Sequence, residues 1–320
     1  MLLIVTIFLN FKIYIKITMS KKVLKQAALQ TAAGGSAGFT EVCIMHPLDL
    51  IKTRLQIQTV KPNANPNDPT YYTGIVDCVK KMYKHEGLGS FWKGIIPPIM
   101  AETPKRALKF VSFEQYKRLL MFDGKATPLT FVMAGTLCGI TEAFVANPFE
   151  VVKVTLQASR GSGKETKGTW ATTKEIVKQH GLGLKGLNKG LSATIWRHGL
   201  FNLFYFGIYN NLKAVLPPAK DPTGEFLKTV GCGFISGVIG SIANIPFDVA
   251  KSRIQGPQPV PGQVKYKSLF GTLAIVYKEE GFGALYKGLL PKVLRLGPGG
   301  AIMIVVFDKV YGYLTVTFPD

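Results

Sequence analysis

Acidic side chains, cysteines and histidines are all scarce in this sequence, and each scarcity excludes something. Asp and Glu number 19 against 39 Lys and Arg, a formal net charge of +20 over 320 residues. Only 18% of residues are charged while 47% are hydrophobic; soluble domains carry about a quarter charged residues, and basic disordered chains are far less apolar. Cys43, Cys78, Cys138 and Cys232 stand far apart with no CxxC between them, three of them inside apolar segments. A disulfide framework and a thiolate metal site are thereby excluded. His46, His85, His180 and His198 are equally scattered. No HExxH, P-loop, GxSxG or nucleophile constellation occurs, which argues against an enzyme or a membrane-bound catalyst and calls for neither cofactor nor metal. Zinc-ligand spacing, a basic heptad region and a stacking motif are absent too, so the charge is not that of a nucleic-acid binder. What remains is a set of apolar segments separated by basic loops, a pattern that suits anionic lipid headgroups and anionic solutes.

Residues 1–18, "MLLIVTIFLNFKIYIKIT", do not read as a signal peptide. Lys12 and Lys16 follow the apolar part instead of preceding it, and no small-residue cleavage site comes after. Met19 opens "MSKKVLKQ" as a second candidate start, so 1–18 is read as a lead-in, or failing that as a dispensable interfacial segment.

Beyond that point the chain repeats itself. "HPLDLIKTRLQIQ", "NPFEVVKVTLQ" and "IPFDVAKSRIQ" align without gaps on Pro47, Pro148 and Pro246, which are 101 and 98 residues apart. Each copy sets an acid two residues after the proline (Asp49, Glu150, Asp248), a lysine five after (Lys52, Lys153, Lys251) and a glutamine nine after (Gln56, Gln157, Gln255). Upstream lie three GxxxG pairs in one register, Gly34 and Gly38, Gly135 and Gly139, Gly233 and Gly237, which predict smooth stripes for close helix packing. Downstream come "EGLGSFWKG", "HGLGLKGLNKG" and "EGFGALYKG", each followed by an apolar run. The middle copy departs: His180 replaces the acid, Asn188 replaces the aromatic, and two residues are added. Each repeat therefore reads as membrane helix, polar loop with a short amphipathic helix, and membrane helix, over 24–122, 126–216 and 226–316.

Three copies of Pro-x-[Asp/Glu]-x-x-Lys, each followed by this Gly-rich signature, resemble the mitochondrial carrier family from Met19 onward. The resemblance implies an all-α membrane protein of six transmembrane helices in three pseudo-symmetric repeats with short matrix helices. It further implies the mitochondrial inner membrane, both termini on the intermembrane side, one central site worked by alternating access, a monomer, and lipid partners that include cardiolipin. Proline in a membrane helix frees a carbonyl and kinks the chain, which would draw the three odd-numbered spans together toward the matrix. By family analogy a matrix gate pairs Asp49 with Lys153, Glu150 with Lys251 and Asp248 with Lys52, the glutamines bracing these pairs from below. Twenty residues past Lys93, Lys189 and Lys287, "FEQYK", "YNNLK" and "FDKVY" resemble the family's cytoplasmic gate. The pairs expected there are Glu114 with Lys213 and Asp308 with Lys117, while Asn210 faces Tyr311 without charge. Three ionic pairs against two predict a protein that rests open to the intermembrane space.

The site should lie between the gates. Eight residues past the same lysines stand Ala101, Arg197 and Arg295, the positions at which the family contacts its substrates. Steps of four from each trace one helix face: Lys105, Lys109, Phe113, Lys117; Phe201, Tyr205, Tyr209, Lys213; Gly299, Met303, Phe307, Tyr311. Arginine forks onto carboxylate, so Arg197 and Arg295 suit a substrate with two carboxylates. A basic group from "ETPKRALKF" adds a third arm, with Lys109 and Arg106 preferred to Lys105. Arg197 followed by His198 resembles the keto-acid and carboxylate branch of the family, His198 donating to a 2-oxo group or a carboxylate. Longer runs, "AETPKRALKF" and "IPFDVAKSRIQGPQPVPG" among them, resemble members that exchange 2-oxodicarboxylates, 2-oxoadipate and 2-oxoglutarate, with citrate and other di- or tricarboxylates as the alternative. Glu41 and Glu142, six residues before their prolines, are expected to pair with cavity bases or to handle a proton.

Overall fold

The computed structural model describes residues 21–59, 68, 71–121, 126–159, 168–217, 221–259 and 263–318; the expectation for residues 1–18 lies outside them. Among the described residues the chain is helical, with no strand. Helices run in the order α1 (Lys21–Ile57), α2 (Ile75–Glu86), α3 (Ile96–Leu119), α4 (Pro128–Ala158), α5 (Thr169–His180), α6 (Leu191–Val215), α7 (Pro222–Gln255), α8 (Leu269–Glu280) and α9 (Leu289–Thr317). Sequence sets several boundaries directly. Thr127 and Thr130 form a reciprocal capping box before α4, and the Asp221 carboxylate accepts from Gly224 N–H at the start of α7, each with proline at the first helical position.

Stretches within α4, α7 and Phe282–Thr317 are long and apolar enough to cross a bilayer by composition alone. Helices α1, α3 and α6, of 37, 24 and 25 residues, are also long enough but carry more charge. The six long helices close a ring in which α3 packs on α4, α4 on α6, α6 on α7, α9 on α1, and, over shorter stretches, α1 on α3 and α7 on α9. Helices α1, α4 and α7 also touch one another inside the ring. The outer face is apolar and exposed, with Phe39, Ile44, Met133, Trp196, Phe234 and Ile239 upon it, as a lipid-facing surface requires.

The kink prolines Pro47, Pro148 and Pro246 lie inside α1, α4 and α7. Pro47 cannot donate to Cys43 O, and the Trp92 indole does so instead at 2.9 Å. Trp92 is the aromatic residue of the Gly-rich signature, so the two motifs of the first repeat answer each other. The GxxxG stripes are also filled by neighbours: Glu102 and Arg106 of α3 lie over Gly38, Phe206 over Gly135, Asn202 over Gly139, and Leu296 over Gly237.

Each lysine of the KG pair stitches its repeat to the next. Lys93 Nζ donates to Ser159 O (2.8 Å), Lys189 to Gly256 O (3.4 Å) and Lys287 to Gln58 O (3.3 Å). The glycines that follow, Gly94, Gly190 and Gly288, adopt positive φ of 73°, 69° and 81°. A Cβ on any of them would press within 3.1–3.2 Å of the neighbouring repeat, so glycine is required for both reasons.

In repeats 1 and 3 a buried arginine fastens the matrix helix. Arg54 forks onto Glu86 and reaches Tyr72 Oη and Gln157 O. Arg253 forks onto Glu280 and reaches Tyr266 Oη and the carbonyls of Gln56 and Gln58. Burial pushes the Glu280 carboxyl up, but its contacts with Arg253 and Lys287 outweigh that and hold it below the ordinary carboxylate range. Apolar clusters sit beside both anchors: Leu50, Cys78, Met82 and Phe91 in one, Ile254, Leu269, Val276 and Ala284 in the other. In repeat 2, Thr155 and His180 occupy the anchor positions. Thr155 bonds only to Val151 O of its own helix, and α5 buries just Thr172.

Removing one partner from a buried, hydrogen-bonded ion pair costs about 3–5 kcal/mol. Arg253→Ala should therefore lower the unfolding temperature of the detergent-solubilised protein by several degrees. Thr155→Ala, which removes one local hydrogen bond worth about 1 kcal/mol, should shift it far less; equal shifts would mean that the arginine anchors contribute nothing special.

Candidate substrate site and gate

All six long helices contribute to a cavity of about 210 Å³. Its floor is a ring of ion pairs between the proline helices. Lys153 Nζ lies 2.8 Å from Asp49 Oδ2, Lys251 Nζ 2.7 Å from Glu150 Oε2, and Lys52 Nζ 2.7 Å from Asp248 Oδ2. These are the three partners assigned by analogy, each joining one repeat to another.

The glutamines are placed differently from expectation. They do not bond the ion pairs. Gln56 Oε1 accepts from Ser252 Oγ (2.8 Å), Gln157 Nε2 lies 3.5 Å from His46 Nε2, and Gln255 Nε2 donates to Asn147 Oδ1 (2.9 Å). One turn below the lysines, these side chains already abut the neighbouring helix and the KG loops, so they close the seams between repeats. His46 and Asn147, immediately before their prolines, complete those seams by reaching the carbonyls of Lys93 and Lys189.

Above the ring stand the expected contact residues. Ala101, Arg197, His198, Arg295 and Lys105 all line the cavity. Neither arginine is free. Arg197 Nη2 lies 2.6 Å from Glu150 Oε1 and its Nε 3.6 Å from Asp248 Oδ1. Arg295 Nη1 lies 2.7 Å from Asp49 Oδ1, while its Nε and Nη2 lie 3.0 and 2.6 Å from Glu41 Oε1. The gate carboxylates are thus shared, one oxygen to a lysine of the gate and the other to an arginine of the site. His198 contacts Arg197 through Nε2 and lies 3.9 Å from Glu142 through Nδ1. Glu41 and Glu142 therefore face the two contact positions that carry arginine.

The order of preference among the bases of α3 is reversed. Lys105 lines the cavity and rests 3.1 Å from Glu102. Arg106 lies across the α1 glycines, pairs with Glu102 and reaches Met303 Sδ of α9. Lys109 is exposed and is not among the lining residues. Lys105 lies one turn from Ala101, on the same face; Arg106 is rotated onto the α1 contact, and Lys109 rises one turn further.

The cytoplasmic pairs are not formed. Lys117 and Arg118 fold back on Glu114 within α3, at 2.9 and 3.4 Å, and Lys213 lies 3.8 Å from Glu225. Asp308 is exposed and pairs with no other described residue. Asn210 Nδ2 has no hydrogen-bond partner among the described residues, and Tyr311 stacks on Phe307. Tyr209 instead stacks on Tyr205, and Tyr205 on Phe201, a ladder that climbs α6 from the site. Among the described residues, then, the charges at the upper ends of α3 and α6 turn to Glu114 of α3 and Glu225 of α7 and not to one another.

The sequence also concealed Lys292. Its Nζ lies 2.8 Å from Asp248 Oδ2, on the oxygen that Lys52 also takes. Counting lysines and arginines alone, the network joins six cations (Lys52, Lys153, Lys251, Lys292, Arg197, Arg295) to four carboxylates (Glu41, Asp49, Glu150, Asp248). Glu142, joined through His198, makes a fifth carboxylate and leaves one positive charge over. A bundle of six long helices, three of them with an internal proline, around a cation-rich interior is the architecture of a solute carrier.

The family model described as "Mitochondrial carrier protein" matches residues 25–124, 124–220 and 222–317. The chain belongs to the mitochondrial carrier family and is a membrane transporter, not an enzyme. It is 55% identical over 291 residues to the mitochondrial 2-oxodicarboxylate carrier of Homo sapiens, covering 91% of this chain and 96% of the relative. It is 39% identical over 290 residues to mitochondrial 2-oxodicarboxylate carrier 2 of Saccharomyces cerevisiae, covering 89% and 93%. Mitochondrial citrate transporter D of Aspergillus niger is 43% identical over 291 residues, covering 89% and 93%.

Truncating one partner of a buried charge pair costs about 2–5 kcal/mol, so Arg197→Ala and Arg295→Ala should each cut uptake by proteoliposomes about a hundredfold or more, with the protein still folded. Lys105→Ala should raise KM more than Lys109→Ala does; the opposite order would return Lys109 to the site.

Proposed function

We propose that this carrier exchanges 2-oxodicarboxylates, 2-oxoadipate and 2-oxoglutarate, across the mitochondrial inner membrane by alternating access. The observation that carries the reading is that two arginines, Arg197 and Arg295, line one cavity beside His198. Each can fork onto one carboxylate of a dicarboxylate; a neutral solute engages neither in that way. Arg197 and Arg295 each take one carboxylate. His198, beside Arg197, reads the 2-oxo group, and Lys105 leaves Glu102 to provide a third arm. The relatives named for 2-oxodicarboxylates support the same solute class.

Binding is coupled to opening through the shared acids. Substrate carboxylates compete with Glu150 for Arg197 and with Asp49 for Arg295. Once displaced, each acid is held by its gate lysine and fewer other partners, and the ring loosens. A ligand shifts a conformational equilibrium only by its differential affinity for the two states, and this competition supplies such a difference. The empty protein rests with its matrix gate shut and its cytoplasmic side open. Supporting this, the floor pairs are made and largely shielded from solvent, while the residues of the upper gate fold back on their own helices or stand exposed. The basic loops suit anionic lipid, cardiolipin by family analogy, and a ring closed within one chain suits a monomer.

Proteoliposomes loaded with 2-oxoglutarate should take up labelled 2-oxoadipate and 2-oxoglutarate far faster than citrate, malate or ATP. Rapid citrate exchange without 2-oxoadipate exchange would move the protein to tricarboxylate transport.

A further inference from the structure

Five residues past the KG lysines stand Pro98, Thr194 and Lys292. The threefold pattern thus breaks in repeat 3, and it breaks by adding a cation to the matrix gate. Lys292, on α9, is fixed from three sides. Its Nζ lies 2.8 Å from Asp248 Oδ2 and 5.6 Å from the centroid of the Phe201 ring. With the Asn244 amide oriented to satisfy both its ends, Asn244 accepts from Lys292 and donates to Arg197 O, each at 3.2 Å. Lys292 does not line the cavity, so it is placed to act on the gate and not on the solute.

Its position in the chain decides what it does there. Lys52 belongs to repeat 1 and Asp248 to repeat 3, so their bond must break when the proline helices part. Lys292 and Asp248 both belong to repeat 3, on helices α9 and α7 that touch one another, so their bond crosses no boundary between repeats. We infer that Lys292 is a competing, same-repeat counterion for Asp248 that weakens the Lys52–Asp248 latch and holds the Asp248 charge once the latch has opened. Resting on the exchange reading above, this makes Lys292 a positioning residue that sets how readily the matrix gate opens.

Two effects act in one direction. In the shut gate, two ammonium groups share one carboxylate oxygen and repel each other, so Lys292 makes the Lys52 bond easier to break. In the open gate Lys52 has withdrawn from Asp248, whose side chain is 3% exposed in the shut state, and Lys292 is the near counterion that remains to it beside the more distant Arg197. Removing Lys292 strengthens the latch and disfavours the open state. The matrix gate then stays shut and turnover slows, while solute entering from the open side meets an unchanged site.

The test is homoexchange of labelled 2-oxoglutarate by proteoliposomes, comparing the wild type with Lys292→Met, Lys292→Arg and the Lys52→Gln/Lys292→Met double variant. Lys292→Met should lower Vmax about five- to tenfold, the low end of ordinary coupling between two sites, with KM within about twofold of wild type. Lys292→Arg should keep most of the rate. The double variant should regain rate over Lys292→Met, because the over-strengthened latch is gone. A wild-type rate for Lys292→Met, a rise in KM in place of a fall in Vmax, or a double variant slower than Lys292→Met would overturn the inference. Should Lys292→Met fold poorly, Lys292→Gln, which keeps a polar side chain without the charge, takes its place alone and in the double variant, with the same outcomes. Failure of the wild type itself to exchange 2-oxoglutarate would instead sink the transport reading, and the two failures are distinguishable.

Discussion

The rest of the structure depends on a carboxylate held between two cations, one in the gate and one in the site. A charge inside a bilayer is costly unless it is paired or wet, and this chain has few acids with which to pair its many bases. Each gate acid is therefore made to serve twice. Asp49 joins Lys153 to Arg295, and Glu150 joins Lys251 to Arg197. Sharing has a mechanical consequence. Arg197 and Arg295, the groups proposed to hold a solute, are held by the acids of the floor ring, so on that proposal recognition and gating draw on the same bonds. Buried ion pairs are poor stabilisers once desolvation is counted, which suits them to a contact that must break on every cycle. The permanent fastening is placed elsewhere, in the Arg54 and Arg253 anchors and the KG stitches.

Threefold symmetry supplies the frame, and departures from it supply the particulars. The acids, lysines, glutamines and KG glycines repeat because each seam faces the same mechanical problem. Ala101 against Arg197 and Arg295 breaks the symmetry inside the cavity, and Pro98 and Thr194 against Lys292 breaks it outside the cavity, on Asp248. Repeat 2 departs on the matrix side as well. The anchor arginine and its acid are lost together, to Thr155 and His180, and the indole that caps Cys43 O in repeat 1 has Asn188 in its place. Losing only one member would have left a buried charge without a partner; losing both leaves a plainer seam, carried by Lys189 and by Gln255 on Asn147.

Much of the frame was legible in the sequence, because helical spans translate spacing into direction: an acid and a lysine three residues apart on three matched helices can meet only in a ring. Other features were hidden for physical reasons. Sharing of Asp49 and Glu150 depends on the reach of arginine across the bundle, which no spacing within one helix encodes. The glutamines were expected below the ion pairs, bracing them, but they bond to Ser252, His46 and Asn147 of the neighbouring proline helices, contacts set by how the helices pack and not by spacing within one of them. Lys105 against Lys109 was a question of helix phase next to Pro104. Arg54 and Arg253 had a readable signal that was passed over: an arginine two residues after the gate lysine in repeats 1 and 3, missing from the repeat that also lacks the acid. Lys292 had no counterpart in the other repeats, so counting repeats could not find it.

The unmade cytoplasmic pairs are a different matter, because a sequence that works by alternating access encodes two structures and one conformation satisfies only one of them. In the conformation with the floor shut, Glu114 keeps Lys117 and Arg118 three and four residues away on its own helix. Exposed pairs of this kind contribute about 0.3–0.5 kcal/mol each. They keep the charges solvated and close to where they will be needed, yet yield at small cost when α3, α6 and α9 close. The floor pairs are more buried, and in the mechanism proposed above they yield when a solute competes for the arginines over them. That difference lets an empty carrier wait on one side while a loaded one crosses.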